Sequence, residues 1–157
     1  MFKSRTRWRE KLEKPQAPKI VTVPSKMMAR FGKGKMLIPT PMLVDQLMRE
    51  VRKGKLITGG QIRARLARDH FADVTCPLTT GIFMRIAAEA AEEDRANGSK
   101  RITPYWRVVK DDGSLNPKFP GGEAQQAKYL RAEGIATTRR GKRVVVKDFN
   151  ERLTSLK

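Results

Sequence analysis

The apolar positions of the chain form three helical stripes, followed by shorter alternating runs. From residue 41 on, Leu43, Val44, Leu47, Met48 and Val51 recur at helical spacing. Thr40 is placed to cap this helix, Pro41 suits its first position, and Gly54 ends it. "LITGGQIRARLARDHF" predicts a second helix capped by Thr58, with Ile62 and Leu66 inward and Arg63, Arg65 and Arg68 outward. "DVTCPLTTGIFMRIAAEAAEEDRANG" predicts a third, with Thr75 as cap and Pro77 in the first turn. Its Leu78, Ile82, Ile86 and Ala90 recur every four residues and are expected to form the buried stripe. The acidic end "EEDR" repels phosphate, so any contact with a polyanion falls to the N-terminal half, through Thr79, Thr80, Phe83 and Met84.

The pattern then changes. "KRITPYWRVVKDDG" reads as extended and ends in a turn at Asp111 and Asp112. A loop, "SLNPKFPGG", leads into a short helix, "GGEAQQAKYLRAEGI", closed by Gly134. "IATTRRGKRVVVKDF" is a hairpin pattern around "RRGK". Upstream, residues 1–40 mix charge with Pro and Gly. "RTRWREKLEK" predicts a short helix, "PQAPKIVTVPSK" an extended stretch, and "SKMMARFGKGK" one or two helical turns stopped by Gly32 and Gly34. This segment is expected to lie as an arm on the domain or on a nucleic acid. Trp8, among Arg5, Arg7 and Arg9, is expected to pack onto the domain, with stacking on a base or phosphate as the alternative. The boundaries that follow are a basic arm at 1–40, a helical domain at 41–135 and a C-terminal hairpin and tail at 136–157. Three helices followed by strands able to form a wing describe a winged helix-turn-helix, which places one helix in a groove and grips the backbone with its neighbours.

Charge changes this picture most. The 157 residues carry 34 Lys and Arg against 16 Asp and Glu, a formal net charge of +18 and a pI near 10.7. Residues 1–70 hold 18 bases and 5 acids, residues 71–100 hold 3 and 5, and residues 101–157 hold 13 and 6. A balance of this kind attracts DNA, RNA or an anionic surface. No apolar run approaches the length of about 20 residues that spans a bilayer. The N-terminal stretch has charge without an apolar centre, unlike a secretory signal. One cysteine excludes an internal disulfide and fits a reducing cytosol. The expected setting is cytoplasmic and nucleoid-associated.

Reactive chemistry is sparse. One histidine, His70, and one cysteine, Cys76, make no metal set, and no cofactor motif is present; "GKGK" lacks the spacing of a phosphate-binding loop. His70 ends a helix, where it favours the dipole. Cys76 sits at a helix N-terminus, which can lower a thiol pKa, but no histidine lies near it in sequence; a small packed residue is the default.

The order of motifs resembles the alkylguanine-DNA alkyltransferase superfamily from about Val51 to Ile135. "VRKGKLITGGQIRARLA" is similar to the family's entry into its helix-turn-helix, and "TTGIFMRIAAE" to its recognition helix. Asn97, "TPYWRVV", "DG", "FPGG" and "YLRAEG" follow the segment in which the family writes Asn, Pro-Cys-His-Arg-Val, an aromatic residue before Gly-Gly, and Glu-Gly. Family enzymes move an alkyl group from a flipped guanine onto that cysteine. Here Tyr105 stands in the cysteine's place and Trp106 in the histidine's. A phenol with a pKa near 10 and no activating base is a poor nucleophile. The resemblance therefore implies the alkyltransferase-like branch, which lacks the cysteine and marks alkylated DNA for other repair proteins.

What the resemblance implies for single residues is specific. Asn97 would tie the recognition helix to the active-site loop, Arg107 would be the motif arginine, Phe119 the pocket-wall aromatic, and Glu133 the end of a proton relay that has lost its chemistry. Gly59 lies where the family has a nucleotide-rotating tyrosine, and Leu78 near the place of the arginine that fills the vacated stack. The expected lesion pocket is Tyr105, Trp106, Arg107, Phe119, Asn97 and Glu133. The expected DNA contacts are Arg63, Arg65, Thr79, Thr80, Met84 and Arg101. The expected partners are double-stranded, damaged DNA and repair proteins, with no membrane, cofactor or metal, and the chain acting as a monomer. Three functions stay open: a non-enzymatic reader of alkylated guanine, a divergent methyltransferase using Cys76, and a general nucleic-acid-binding or regulatory module without a lesion pocket. A purely structural role for the Tyr-Trp pair also stays open.

Overall fold

In the computed structural model, which describes residues 7–155, the long helix α5 (Pro77–Ala96) is the element around which the others pack. At 1.5 Å per residue it runs about 30 Å. Four alanines, Ala87, Ala88, Ala90 and Ala91, are fully buried along it. Their small side chains let α1 (Trp8–Glu13) and α3 (Pro41–Arg49) approach its backbone closely. Thr40 caps α3 by accepting from the Leu43 amide, with Pro41 at the first position. α4 (Gly59–Asp69) begins with a capping box: Thr58 accepts from the Gln61 amide, and the Gln61 side chain accepts from the Thr58 amide. α6 (Gly122–Ala132) closes at Gly134, whose φ of +79° is the left-handed geometry that a helix end of this kind requires.

Three small sheets hold the helices. β1 (Lys19–Thr22) pairs antiparallel with β2 (Lys35–Ile38), and β2 pairs parallel with β4 (Val74–Thr75). β3 (Ile57–Thr58) pairs parallel with β5 (Val108–Val109). β6 (Thr137–Arg140) and β7 (Arg143–Val146) form the basic hairpin, as the alternation around "RRGK" predicts. The small helices α2 (Met28–Phe31) and α7 (Phe149–Arg152) complete the fold. The mainly helical architecture with a small β wing is the expected one. No described helix is long and apolar enough to cross a membrane.

Two expectations change, and a third gains detail. The cap of α5 is Cys76, not Thr75. Thr75 is spent elsewhere: its backbone pairs with Leu37, and its hydroxyl donates to the Arg63 carbonyl at 2.7 Å. Residues 7–40 lie on the domain, one of the two expected placements, and they also enter its core. Leu12 and Leu37 are fully buried in the main core, and Val23 and Met36 form a small cluster with Cys76. The stripe on α5 is also rotated. A row at every fourth residue drifts by about 40° per step around a helix of 3.6 residues per turn. Leu78 and Ile82 therefore lie on the solvent face, 70% and 50% exposed, while Ile86 packs half-buried against the core and Ala90 is fully buried. The buried positions of the N-terminal half are Thr80 and Met84.

Candidate nucleic-acid interface

An open cleft of about 720 Å³ lies beside the N-terminal half of α5. Leu78, Ile82 and Met84 of α5 line one side, with Gly59 and Arg63 of α4. The strand end from Val108 to Asp111 and the loop from Asn116 to Phe119 form a second side, and Trp8, Lys11, Arg30 and Phe31 a third. Its volume falls within the range of about 300–1,000 Å³ typical of ligand sites. Apolar surface makes the floor and cations make the rim. Lys11, Arg30, Arg63, Arg85, Lys110 and Lys118 surround a single carboxylate, Asp111. Asp111 accepts from the Gly60 amide at 2.8 Å and pairs with Arg63 at 3.3 Å. Lys110 and Lys118 make no ion pair among the described residues, so their charge faces outward uncompensated.

The Tyr-Trp pair does not face this cleft. Residues Tyr105–Arg107 form a 3-10 turn after Pro104. Tyr105 is fully buried, its ring meeting Trp106, Phe119 and Tyr129 edge-on at 5.4, 5.4 and 6.1 Å. Its hydroxyl donates to Glu92 at 2.7 Å, and Tyr129 donates to the same oxygen at 2.9 Å. Burial, then the bond to Glu92, push the Tyr105 phenol far above its ordinary range. Trp106 turns the other way: its indole N–H donates to Glu133 at 2.7 Å. Arg107 grips Glu133 with Nε at 3.0 and 3.1 Å and Nη2 at 2.9 Å, and donates through Nη1 to the Val51 carbonyl at 2.6 Å. The Gly54 amide adds a further donor at 2.9 Å. Burial opposes the charge on Glu133, but the Arg107, Gly54 and Trp106 donors outweigh it and hold the carboxyl below its usual range. This cluster ties α6 to the end of α3 and to the 3-10 turn. It is a structural clamp.

The expected site residues thus part company. Phe119 and Met84 line the cleft, as do Gly59 and Leu78. Tyr105, Trp106, Arg107 and Glu133 lie behind it in the core. Asn97 is exposed at the C-terminal cap of α5 and touches the helix only through its backbone amide. The tie between α5 and the 3-10 turn comes from Glu92 instead. Arg63 reaches the rim, whereas Arg65 pairs with Asp69 at 2.9 Å on the helix's own surface. Thr80 is buried and donates to the Cys76 carbonyl at 2.7 Å, so it offers nothing to a groove. Thr79 leans on the same carbonyl at 3.4 Å. Arg101 is exposed, outside the cleft. Cys76 is buried, and His70 caps α4 with Nδ1 2.9 Å from the Leu66 carbonyl. Trp8 does pack onto the domain, with Lys11 Nζ 4.2 Å above its ring; Arg5 lies outside the described residues. No cluster of three or more metal-ligating side chains occurs among the described residues.

No known family profile matches the sequence, and no curated protein does either. Solved structures do. One is the crystal structure of S. pombe Atl1 in complex with damaged DNA containing O6-carboxymethylguanine, 19% identical, with a TM-score of 0.52 over 74% of this chain and 94% of that chain. Another, of S. pombe ATL in complex with DNA, is 17% identical with a TM-score of 0.53 and the same coverage. The fold is that of the alkyltransferase-like proteins. At this identity the likeness concerns the fold, and it matches the resemblance drawn from "TPYWRVV", "FPGG" and "YLRAEG". About a quarter of the chain lies outside the superposed alkyltransferase-like fold.

One feature of the cleft and one of the core behind it escaped sequence reasoning. The contribution of Lys11, Arg30 and Phe31 could not be read, because no local pattern says that α1 and α2 fold back beside α5. Glu92 was passed over as part of an acidic helix end. Its position thirteen residues before a buried tyrosine carries no sequence signal.

Proposed function

We propose that this protein binds double-stranded DNA across the face that carries the cleft and holds an alkylated or otherwise damaged base there without altering it. The observation that carries the reading is the juxtaposition on one face of an exposed apolar turn, Leu78 and Ile82, with a cleft rimmed by six cations. Apolar side chains suit insertion between base steps in a minor groove. The rim cations suit the flanking phosphates. Removing a base from the stack costs a few kcal/mol, least for a damaged one, so the cleft favours lesions. The fold shared with S. pombe Atl1, which was crystallised on damaged DNA, supports this reading.

The inference that no alkyl group is transferred is supported by two side chains. Tyr105, at the position of the family's cysteine, is buried with its proton directed at Glu92. Cys76 is 6% exposed in a cluster with Val23 and Met36. Neither offers a nucleophile to the cleft. The test is fluorescence anisotropy on two duplexes that differ by one O6-alkylguanine, across a salt series. Tighter binding to the alkylated duplex at every salt concentration is expected. Equal affinity throughout removes lesion recognition. Intact mass after incubation with alkylated DNA is expected to stay constant; a gain of one alkyl group that disappears in Cys76→Ser would restore the enzyme reading.

A second reading is duplex binding without lesion preference. Gly59 and Leu78 stand where the resemblance implies a rotating tyrosine and a stack-filling arginine, and the aromatic pair is turned into the core. The same titration separates the two.

A further inference from the structure

We propose that the N-terminal layer, α1 together with α2, is a second nucleic-acid-binding wall of the cleft, in which Lys11 and Arg30 hold phosphates and Phe31 stacks on a base. The inference rests on DNA binding at the cleft and adds to it a contact made by residues N-terminal to the domain's first long helix, beside α5.

The layer is held in place rather than draped. The Trp8 and Arg9 amides at the start of α1 donate to the Glu93 carboxylate at 3.0 and 3.1 Å, Arg9 pairs with Asp94, and Leu12 is fully buried. Its charge is one-sided. Residues 7–38 carry nine Lys and Arg against two Glu, a net of +7, and one of those acids, Glu13, is already paired with Arg9. On the cleft side the layer repeats one device: a cation beside an aromatic ring. Lys11 Nζ stands 4.2 Å from the Trp8 centroid, and the Arg30 guanidinium 5.1 Å from that of Phe31. All four residues line the cleft, and neither Lys11 nor Arg30 has an acidic partner among the described residues. A nucleotide presents a flat base beside a phosphate, which is the complement of a ring beside a cation. Phe31 also lies on a four-residue helix that ends at Gly32, with φ +77°, and belongs to none of the buried clusters. Its ring is therefore available without cost to the core.

The test uses the full chain and a labelled 20-base-pair duplex, unmodified and with one O6-methylguanine. Lys11→Ala/Arg30→Ala is compared with Lys128→Ala/Arg131→Ala, which removes the same charge from α6 on exposed positions outside the cleft. The slope of log K against log salt should fall by about 2 in the first pair, at about 0.9 per lost phosphate contact, and by much less in the second. Phe31→Ala should weaken binding roughly 5- to 150-fold, the range for one lost base–aromatic stack, with the slope unchanged. In Phe31→Trp, addition of duplex should quench fluorescence beyond the quench seen in the wild-type chain. Equal slopes for the two double variants, or full affinity in Phe31→Ala with no extra quench in Phe31→Trp, overturn the wall while wild-type binding leaves the DNA reading intact. Failure of the wild-type chain to bind either duplex overturns both.

Discussion

Replacing Glu133 by Gln tests the clamp behind the cleft. The change keeps the side chain's size and one acceptor oxygen but removes the charge. In the native protein that carboxylate accepts from Trp106 Nε1, Arg107 Nε and Nη2, and the Gly54 amide. Glu133 and Arg107 side chains are only 7% and 14% exposed, so solvent cannot replace what is lost. Removing one partner of a buried pair costs about 3–5 kcal/mol, because the remaining charge is stranded. The retained oxygen still accepts one bond, which places the expected loss near the bottom of that range, about 3 kcal/mol. For a chain of this size each kcal/mol moves Tm by about 2–4 °C, so the shift is about 6–12 °C. Urea unfolding by circular dichroism measures the free energy, and differential scanning fluorimetry the Tm. The pH profile adds a second readout. The folded carboxyl lies below its unfolded value of 4.5, so its contribution is present above that value and is lost as pH falls through the folded one. Wild-type stability should fall in that acidic window more steeply than that of Glu133→Gln. A loss below about 1 kcal/mol, or parallel pH profiles, would refute the clamp as a buried ionic anchor.

Two other perturbations probe the cleft itself. Asp111→Asn removes its only carboxylate and frees Arg63; duplex affinity should rise several-fold and the salt slope should steepen by up to about 0.9. Unchanged or weaker binding in a salt titration argues against Arg63 on phosphate. Leu78→Asp and Ile82→Asp alter exposed side chains, so stability should move by no more than about 0.5 kcal/mol, while duplex binding should drop at least tenfold. Anisotropy and chemical denaturation run side by side separate the two effects, and full retention of binding would remove α5 from the interface.

The elements were legible where local chemistry decides them. The Thr40-Pro41 start, the Thr58–Gln61 box, the Gly134 stop and the 137–146 hairpin each depend on residues a few positions apart. The face of α5 was not. Its four-residue row crosses from solvent at Leu78 to core at Ala90, and only the partners α1 and α3 decide where burial begins. How deeply the N-terminal layer enters the core was hidden for a related reason. Leu12 is a lone apolar residue among charges, and in the short runs 20–23 and 36–38 no period separates the buried Val23 and Leu37 from the exposed Ile20 and Val21. Of the candidate site, the frame "TPYWRVV…FPGG" could be found, but the directions of its side chains could not. Tyr105 and Trp106 are neighbours in sequence and face opposite carboxylates.

Those opposite directions explain how a turn that resembles a catalytic motif pins the core together. A nucleophile needs an open path to its substrate and a base beside it; Tyr105 has neither, since burial and the Glu92 carboxylate both oppose loss of its proton. What the position has gained is bonding. Its hydroxyl links the 3-10 turn to α5, and Tyr129 reaches the same Glu92 oxygen from α6, while Trp106 and Arg107 link the turn to α6 through Glu133. Two helices, α5 and α6, are fixed to one turn by two carboxylates. Val108 and Val109, directly after that turn, form the cleft's inner edge together with Lys110 and Asp111. Under the proposed function the rings would serve the cleft at one remove, holding the edge against which a base would rest, and recognition would fall to side chains outside the Tyr-Trp motif, among them Leu78 and Ile82 of α5 and Arg30 and Phe31 of α2.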